Sequence, residues 1–549
     1  MSTAGVAPAS VPAGRDAGPT APRNYLTAEC TVGSWLLGTD HKRVAFLYLL
    51  AIAAFFTIGV IAAGLLRIHL LTPAGMLFSP ETYTNFVTLH GVILVFFFLI
   101  PSMPCVLGNF LIPLMIGSKG LAFPRLNLAS WYLFLLGGVC AIFAAVIGGA
   151  DLGWTFYTPQ VNVFSANQGV LTAIGVFLAC FSWMLTGLNL IVTIHRLRAP
   201  GMTWSRLPLF VWTMYGASLL LVIGTPVAIF TLIRVAVARA SQFGLFAPAL
   251  GTGPLFFEHP AVYLMLLPCL GVICEVVACF ARKRLVGYRA LTAATGAIVA
   301  LGLLVWACHL FNISEASGTG TLLSVLGFLL LIPLAVAVFN WIATLYHGSI
   351  SFEAPMWYAL GFICLLTIGA LSGLYLSTPA LDVHVEDTYF MIAQFHFVLA
   401  GGATMGYLAA IHFWWPKLTG HMYSQAWGRL AAALIFAGCI LTFTPQFVLG
   451  YLGMSQYYSV YPANFQALNV LSTAGSLVLG AGYALPVFYL LASLKFGAAA
   501  GPNPWRAAGL EWTADSPPRP DNFTEIPVVT EEAYSYPRAD TAATQITTL

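Results

Sequence analysis

The stretch that decides the fold runs from His90 to Gly117 and reads HGVILVFFFLIPSMPCVLGNFLIPLMIG. It contains no lysine, arginine, aspartate or glutamate. A bilayer core takes about 20 apolar residues per helix, so this run is long enough to cross a membrane. Working outward from the span at 85–113, further apolar spans fall near 44–66, 127–149, 168–194, 208–236, 255–280, 288–311, 321–345, 357–378, 390–415, 428–452 and 466–494. Most exceed the minimum length, which implies tilt. No alternation suggests strands, and the runs are too continuous for an outer-membrane barrel. The expectation is an all-α, polytopic membrane bundle of about twelve helices, occupying 41–500 as one domain.

Composition agrees. Of the 549 residues 59% are hydrophobic and only 7% charged, whereas a soluble domain carries about 25% charged residues. Too few charges remain to cover a water-facing surface, so the surroundings are the lipid bilayer. The net charge of +3 gives no case for nucleic acid, because the longest basic run is Arg282-Lys283-Arg284, between two spans. The ten cysteines include no C-x-x-C pair, which excludes a zinc or thiol-redox signature. Residues 1–40, rich in Ala, Pro, Gly and Ser, read as a disordered cytoplasmic tail without the apolar core of a signal peptide. Residues 501–549 read as a polar, Pro-rich tail of the same kind.

Placing the N-terminus inside puts Lys42, Arg43, Lys119, Arg196, Arg282, Lys417 and most other cations on the cytoplasmic side. The outer side then holds only Arg67, Arg234 and Arg239. That bias predicts cytoplasmic termini in an inner, bacterial-type membrane. Ionisable residues within spans are costly and are functional candidates by default. Here they are His90, Glu258, His259, Glu275, His309, His396 and His412. A lone histidine in a span is more simply a hydrogen-bonded packing residue. Several, in separate helices, point to a haem or metal site.

The words around those residues carry a resemblance. They are DHKR at Asp40–Arg43, the stretch from His90 to Gly117, AFPRLN at Ala122–Asn127, GWTFYTP at Gly153–Pro159, HPAVY at His259–Tyr263, WACHLF at Trp306–Phe311 and EDTYFMIAQFHFVLAGG at Glu386–Gly402. In this order they resemble the haem-copper oxidase superfamily, and within it cytochrome c oxidase subunit I. The resemblance implies a low-spin haem, of type a or b, with His90 and His396 as axial ligands and Arg67 beside it. Two imidazoles leave such an iron no open position. It also implies a respiratory complex with other subunits, including a copper-bearing, subunit II-like electron donor.

The same comparison exposes departures. Where the family places the axial histidine of its second haem, this chain has Gln394, and an amide oxygen is a poor substitute for imidazole. The copper positions fall on His259, Cys308 and His309, where the family has three histidines. Tyr263 matches the tyrosine that the family cross-links to a copper ligand; without normal copper chemistry it is vestigial. Acidic and basic groups of the family's proton paths fall on Ala261, Gly120 and Ala337, none of which carries a proton. Glu386 and Asp387 align with a metal site above the haems and offer oxygen donors for Mg2+. The expected function is therefore a haem-carrying subunit I relative with a lost oxygen-reducing centre, in which copper and a second haem are doubtful. Two alternatives are an active terminal oxidase with unusual ligands, and a haem-free scaffold. A transporter fits the hydropathy but not the words.

Overall fold

In the computed structural model the described residues are 24–29, 31–147, 168–240, 258–310, 319–456 and 458–536. Among them twelve helices are long and apolar enough to cross a membrane. They are α1 (His41–His69), α2 (Pro80–Met115), α3 (Pro124–Val146), α4 (Gln168–Arg196), α5 (Leu209–Ala240), α6 (Glu258–Ala281), α7 (Tyr288–Leu310), α8 (Thr319–Leu345), α9 (Ala354–Leu376), α10 (Tyr389–Thr419), α11 (Gln425–Tyr451) and α12 (Ala463–Phe496). No strand occurs among the described residues. GWTFYTP at Gly153–Pro159 lies outside them.

Local chemistry sets the helix ends. Asp40 caps α1 by accepting from the Lys42 N–H at 2.9 Å, and Ser79 caps α2 ahead of Pro80. Both use an oxygen side chain to satisfy an orphan N–H of the first turn. Helix α2 does not stay regular. It widens to π-helical turns at Val95–Leu99 and Ser102–Gly108, where Pro101 and Pro104 interrupt the backbone ladder. Helix α10 widens likewise at Phe397–Ala403, immediately after His396.

Helices α2, α6 and α10 are the most deeply buried of the twelve, apolar on all sides as a central helix must be. The outer helices turn large apolar side chains such as Phe143, Phe339 and Phe488 outward, as lipid contact requires. Helices α11 and α12 approach closely, since a Cβ on Gly438 would lie 2.6 Å from the Leu479 Cα. Small residues at such crossings let packing replace a hydrophobic drive that lipid does not supply.

Within the expected tails, residues 24–29, 31–40 and 501–536 are packed against the bundle, and the remaining tail residues lie outside the described ones. Tyr25 is fully buried, Arg43 donates to the Tyr25 carbonyl at 2.8 Å, and Thr31 caps a short helix at Val32–Leu36. Residues 501–536 lie across the end of the bundle where the lysines and arginines gather, here termed the basic face. Trp505, Trp512 and Tyr534 of this segment are buried. Lys42 donates to the Pro520 carbonyl at 2.8 Å, Arg282 to that of Trp505 at 2.6 Å, Lys417 to that of Ala514 at 2.7 Å and Arg206 to that of Val529 at 2.9 Å. Lys42 and Lys417 are buried; buried cations need acceptors, and main-chain carbonyls of an irregular segment supply them.

Candidate haem site between helices α2 and α10

His90 sits within α2 and His396 in α10, at the last α-helical turn before the π-helical stretch Phe397–Ala403. Their rings face one another with planes 3° from parallel and centroids 6.2 Å apart. That is too far for ring contact. An iron bonded to one nitrogen of each ring, at about 2.0 Å per bond, sets the centroids roughly 6.3 Å apart. The pair therefore fits a haem iron.

The second nitrogen of each ring is anchored. His90 Nδ1 lies 3.1 Å from the Gly59 carbonyl on α1, and His396 Nδ1 lies 2.7 Å from the Ile392 carbonyl in its own helix. A carbonyl only accepts, so each Nδ1 carries the proton and each Nε2 keeps its lone pair. This is the tautomer a metal-binding imidazole needs, held by an outer hydrogen bond. Phe443 lies against the His396 ring with centroids 4.9 Å apart. Gly59 lets Leu94 of α2 pack closely on α1, because a Cβ there would lie 2.5 Å from Leu94 Cδ2.

Arg67, near the end of α1, is buried. One guanidinium nitrogen donates to the Asn469 carbonyl at 3.0 Å and, at 3.3 Å, to Asn469 Oδ1 and Thr473 Oγ1. Its Nε is buried and has no protein acceptor. A buried cationic donor without an acceptor is costly, and a carboxylate or carbonyl group of a bound cofactor would supply one.

The remaining predicted positions do not assemble into a second centre among the described residues. Gln394 turns toward α9 and donates to the Gly369 carbonyl at 3.4 Å. Cys308 lies in an apolar cluster with Val305 and Leu326. The side chains of Glu258, His259 and His309 lie outside the described residues. The Tyr263 ring rests against Gly302 of α7, where a Cβ would lie 2.6 Å from a ring carbon. Ala261 and Ala337 are buried, and Ala337 borders a cavity of about 10 Å³ with Thr213, Cys274 and Trp341. Gly120 faces His41, whose Nδ1 would lie 3.7 Å from a Cβ there. No group of three or more His, Cys, Asp or Glu side chains comes together as a metal site among the described residues. Glu386 and Asp387 are exposed, and Asp387 Oδ1 accepts from Gln456 Nε2 at 2.7 Å.

Other ionisable residues in the spans have structural partners. His412 Nδ1 faces the Leu408 carbonyl at 2.6 Å, its Nε2 accepts from the Tyr489 hydroxyl, and its ring stacks on Tyr358. It is a packing histidine. Glu275 accepts from the Tyr534 hydroxyl at 2.5 Å and from the Phe210 N–H at 3.3 Å. Sequence reasoning missed Tyr534. The available signal was the recurrence of large aromatics at Trp505, Trp512, Tyr534 and Tyr536 in a segment otherwise read as a free tail.

Comparison with known proteins extends this picture. Residues 43–478 match the family model described as cytochrome c and quinol oxidase polypeptide I. A cytochrome c oxidase subunit 1 from Synechocystis is 38% identical over 498 residues, covering 89% of this chain and 90% of that one. A probable cytochrome c oxidase subunit 1-beta from Nocardia farcinica is 39% identical, covering 95% of this chain and 92% of its own length. Among solved structures, a heme-copper terminal oxidase dimer superposes with a TM-score of 0.69 at 17% identity, over 91% of this chain and 89% of that one. The last likeness concerns the fold alone.

Proposed function

Since this chain belongs to the cytochrome c and quinol oxidase polypeptide I family, and so is a subunit I-type membrane protein of respiratory electron transfer, we propose that His90 and His396 hold one low-spin haem while the oxygen-reducing haem–copper centre has been lost. The observation that carries the first half is the parallel imidazole pair at 6.2 Å. The second half rests on Gln394 being tied to Gly369 and on Cys308 lying among apolar side chains. A haem held by two imidazoles passes one electron at a time and takes no further ligand.

The chain's own part is positioning. The Gly59 and Ile392 carbonyls orient the two rings, Phe443 packs against one of them, and Arg67 places a positive charge with an unpartnered N–H nearby. A cation near a haem favours its reduced state, so Arg67 raises the potential. No route for protons passes through Ala261, Gly120 or Ala337, which carry no exchangeable side-chain proton. Glu386 and Asp387 remain a candidate Mg2+ site at the opposite end from the basic face. Electrons come from a copper-bearing, subunit II-like partner, since the chain itself has no further carrier signature. Docking of the lysines and arginines at one end supports cytoplasmic termini in a bacterial inner membrane.

The second reading is an active oxidase with unusual ligands. What favours it is retention of His259 and Tyr263 in the HPAVY word. Haem and copper counts on the purified assembly separate the two. After subtracting the metal of its partners, the first reading expects one haem and no copper per chain. Two haems and one copper would overturn it.

A further inference from the structure

We propose that residues 501–536 form a releasable strap over the basic face, and that Glu511 is the latch whose ionisation loosens it. Most of the strap is held through its main-chain carbonyls. Lys42, Arg206, Arg282 and Lys417 all take main-chain carbonyls from it. Asn522 ties it to the Ser118 carbonyl at 2.8 Å, and the Trp505 indole donates to the Phe413 carbonyl at 2.7 Å.

Glu511 differs from these. It is a strap residue only 2% exposed, lying between Trp512 of the strap and Trp414 of α10. Its carboxyl faces the indole N–H groups of Trp414 and Trp512, but neither they nor Oε2 close a hydrogen bond. The strap folds closely there, since a Cβ on Gly509 would lie 2.4 Å from that same oxygen. The charged groups facing it are Lys417 of α10, already donating to the Pro502 and Ala514 carbonyls, and Glu275 of α6, itself an acid. A buried carboxylate oxygen without a donor is costly when charged and tolerable when protonated.

Burial accordingly pushes the Glu511 carboxyl up to about 7, with its own backbone N–H, Lys417 and the two indoles opposing the shift only in part. The sign follows from linkage. A folded value above the unfolded one means the docked state binds the proton more tightly. Docking is then fully supported below the ordinary carboxylate range, and that support is lost as pH rises through about 7. Between pH 6 and pH 8 the docked fraction relative to undocked falls about tenfold.

Amide exchange in the purified assembly tests this, read at Ala507, Ala508 and Trp512, whose N–H groups bond within the strap. After correction for the intrinsic base-catalysed rate, wild-type protection falls about tenfold from pH 6 to pH 8. Glu511→Gln removes the fall, while Glu275→Gln keeps it. Should Glu511→Gln unseat the strap at every pH, Glu511→Asp decides, because a retained acid keeps a pH-dependent fall. Flat wild-type protection, an unchanged fall in Glu511→Gln, a flat Glu511→Asp, or loss of the fall in Glu275→Gln would each overturn the latch.

Discussion

The imidazoles of His90 and His396 lie within 3° of parallel at 6.2 Å, yet their anchors are of different kinds. His90 is oriented by a neighbouring helix, through the Gly59 carbonyl of α1. His396 is oriented by its own helix, through the Ile392 carbonyl one turn back. The geometry of one ring is therefore set by how α1 packs on α2, and that of the other by a single helical turn. Perturbations remote from either ring should affect them unequally.

Replacing either histidine by alanine removes a proposed axial ligand together with about one hydrogen bond, worth about 1 kcal/mol. The bundle has many other contacts and should stay folded. Absorbance of the low-spin haem should fall at least tenfold in both His90→Ala and His396→Ala, measured as reduced-minus-oxidised spectra at equal protein. Undiminished low-spin absorbance in either variant would remove that residue from the ligand set.

Gly59 is predicted to matter both for the packing of α1 on α2 and for the orientation of His90. Gly59→Leu places a branched side chain where even a Cβ meets Leu94 at 2.5 Å. Overpacking of this kind costs about 1–3 kcal/mol, and it displaces the carbonyl that holds His90. The expected result is lowered thermal stability with reduced haem content. Gly59→Leu protein that melts and binds haem like the wild type would contradict the packing argument.

Arg67 should tune the haem rather than hold it. Arg67→Met removes a buried positive charge and the donors to Asn469 and Thr473. The haem midpoint potential should fall by on the order of 60 mV, a tenfold change for one electron. Spectroelectrochemical titration gives the value. A potential unmoved by the loss of the guanidinium would show that Arg67 serves only to tie α1 to α12.

Much of this architecture was legible in the sequence, for a definite reason. A helix that crosses lipid must satisfy its backbone internally and present apolar side chains over its length. That constraint reads off as runs, so 85–113 and 390–415 fall within α2 at Pro80–Met115 and α10 at Tyr389–Thr419. His90 and His396 stood out as candidates because a charged or titratable group in such a run needs a reason to be there. The docked strap was not. Its main anchors are backbone carbonyls of residues such as Pro520 and Val529, and a carbonyl has no side-chain signature. Lys42 and Arg282 read as markers of membrane orientation, while their acceptors lie hundreds of residues away in sequence. The apolar setting of Cys308 was hidden too, because it depends on Leu326 of the following helix.

Lys42 is fully buried and takes the Pro520 carbonyl, Asn522 Oδ1 and the Asp40 carboxylate. Lys42→Met leaves Asp40 without its nearest cation and the strap without an anchor. Hydrogen bonds to a charged group are worth about 1.5–3 kcal/mol, which corresponds to at least a tenfold rise in strap opening. Limited proteolysis should cleave within 501–536 correspondingly faster, with the membrane helices intact. Equal cleavage rates would mean that the strap is held elsewhere.

The most direct test of a lost oxygen centre is carbon monoxide. Dithionite-reduced protein, purified with this chain as its sole subunit I, should give the same haem spectrum with and without the gas, because in the proposed site His90 and His396 would fill both axial positions of the iron. A carbon monoxide difference band at a stoichiometry near one per chain, reversed by light, would reveal a second, open haem and contradict the account.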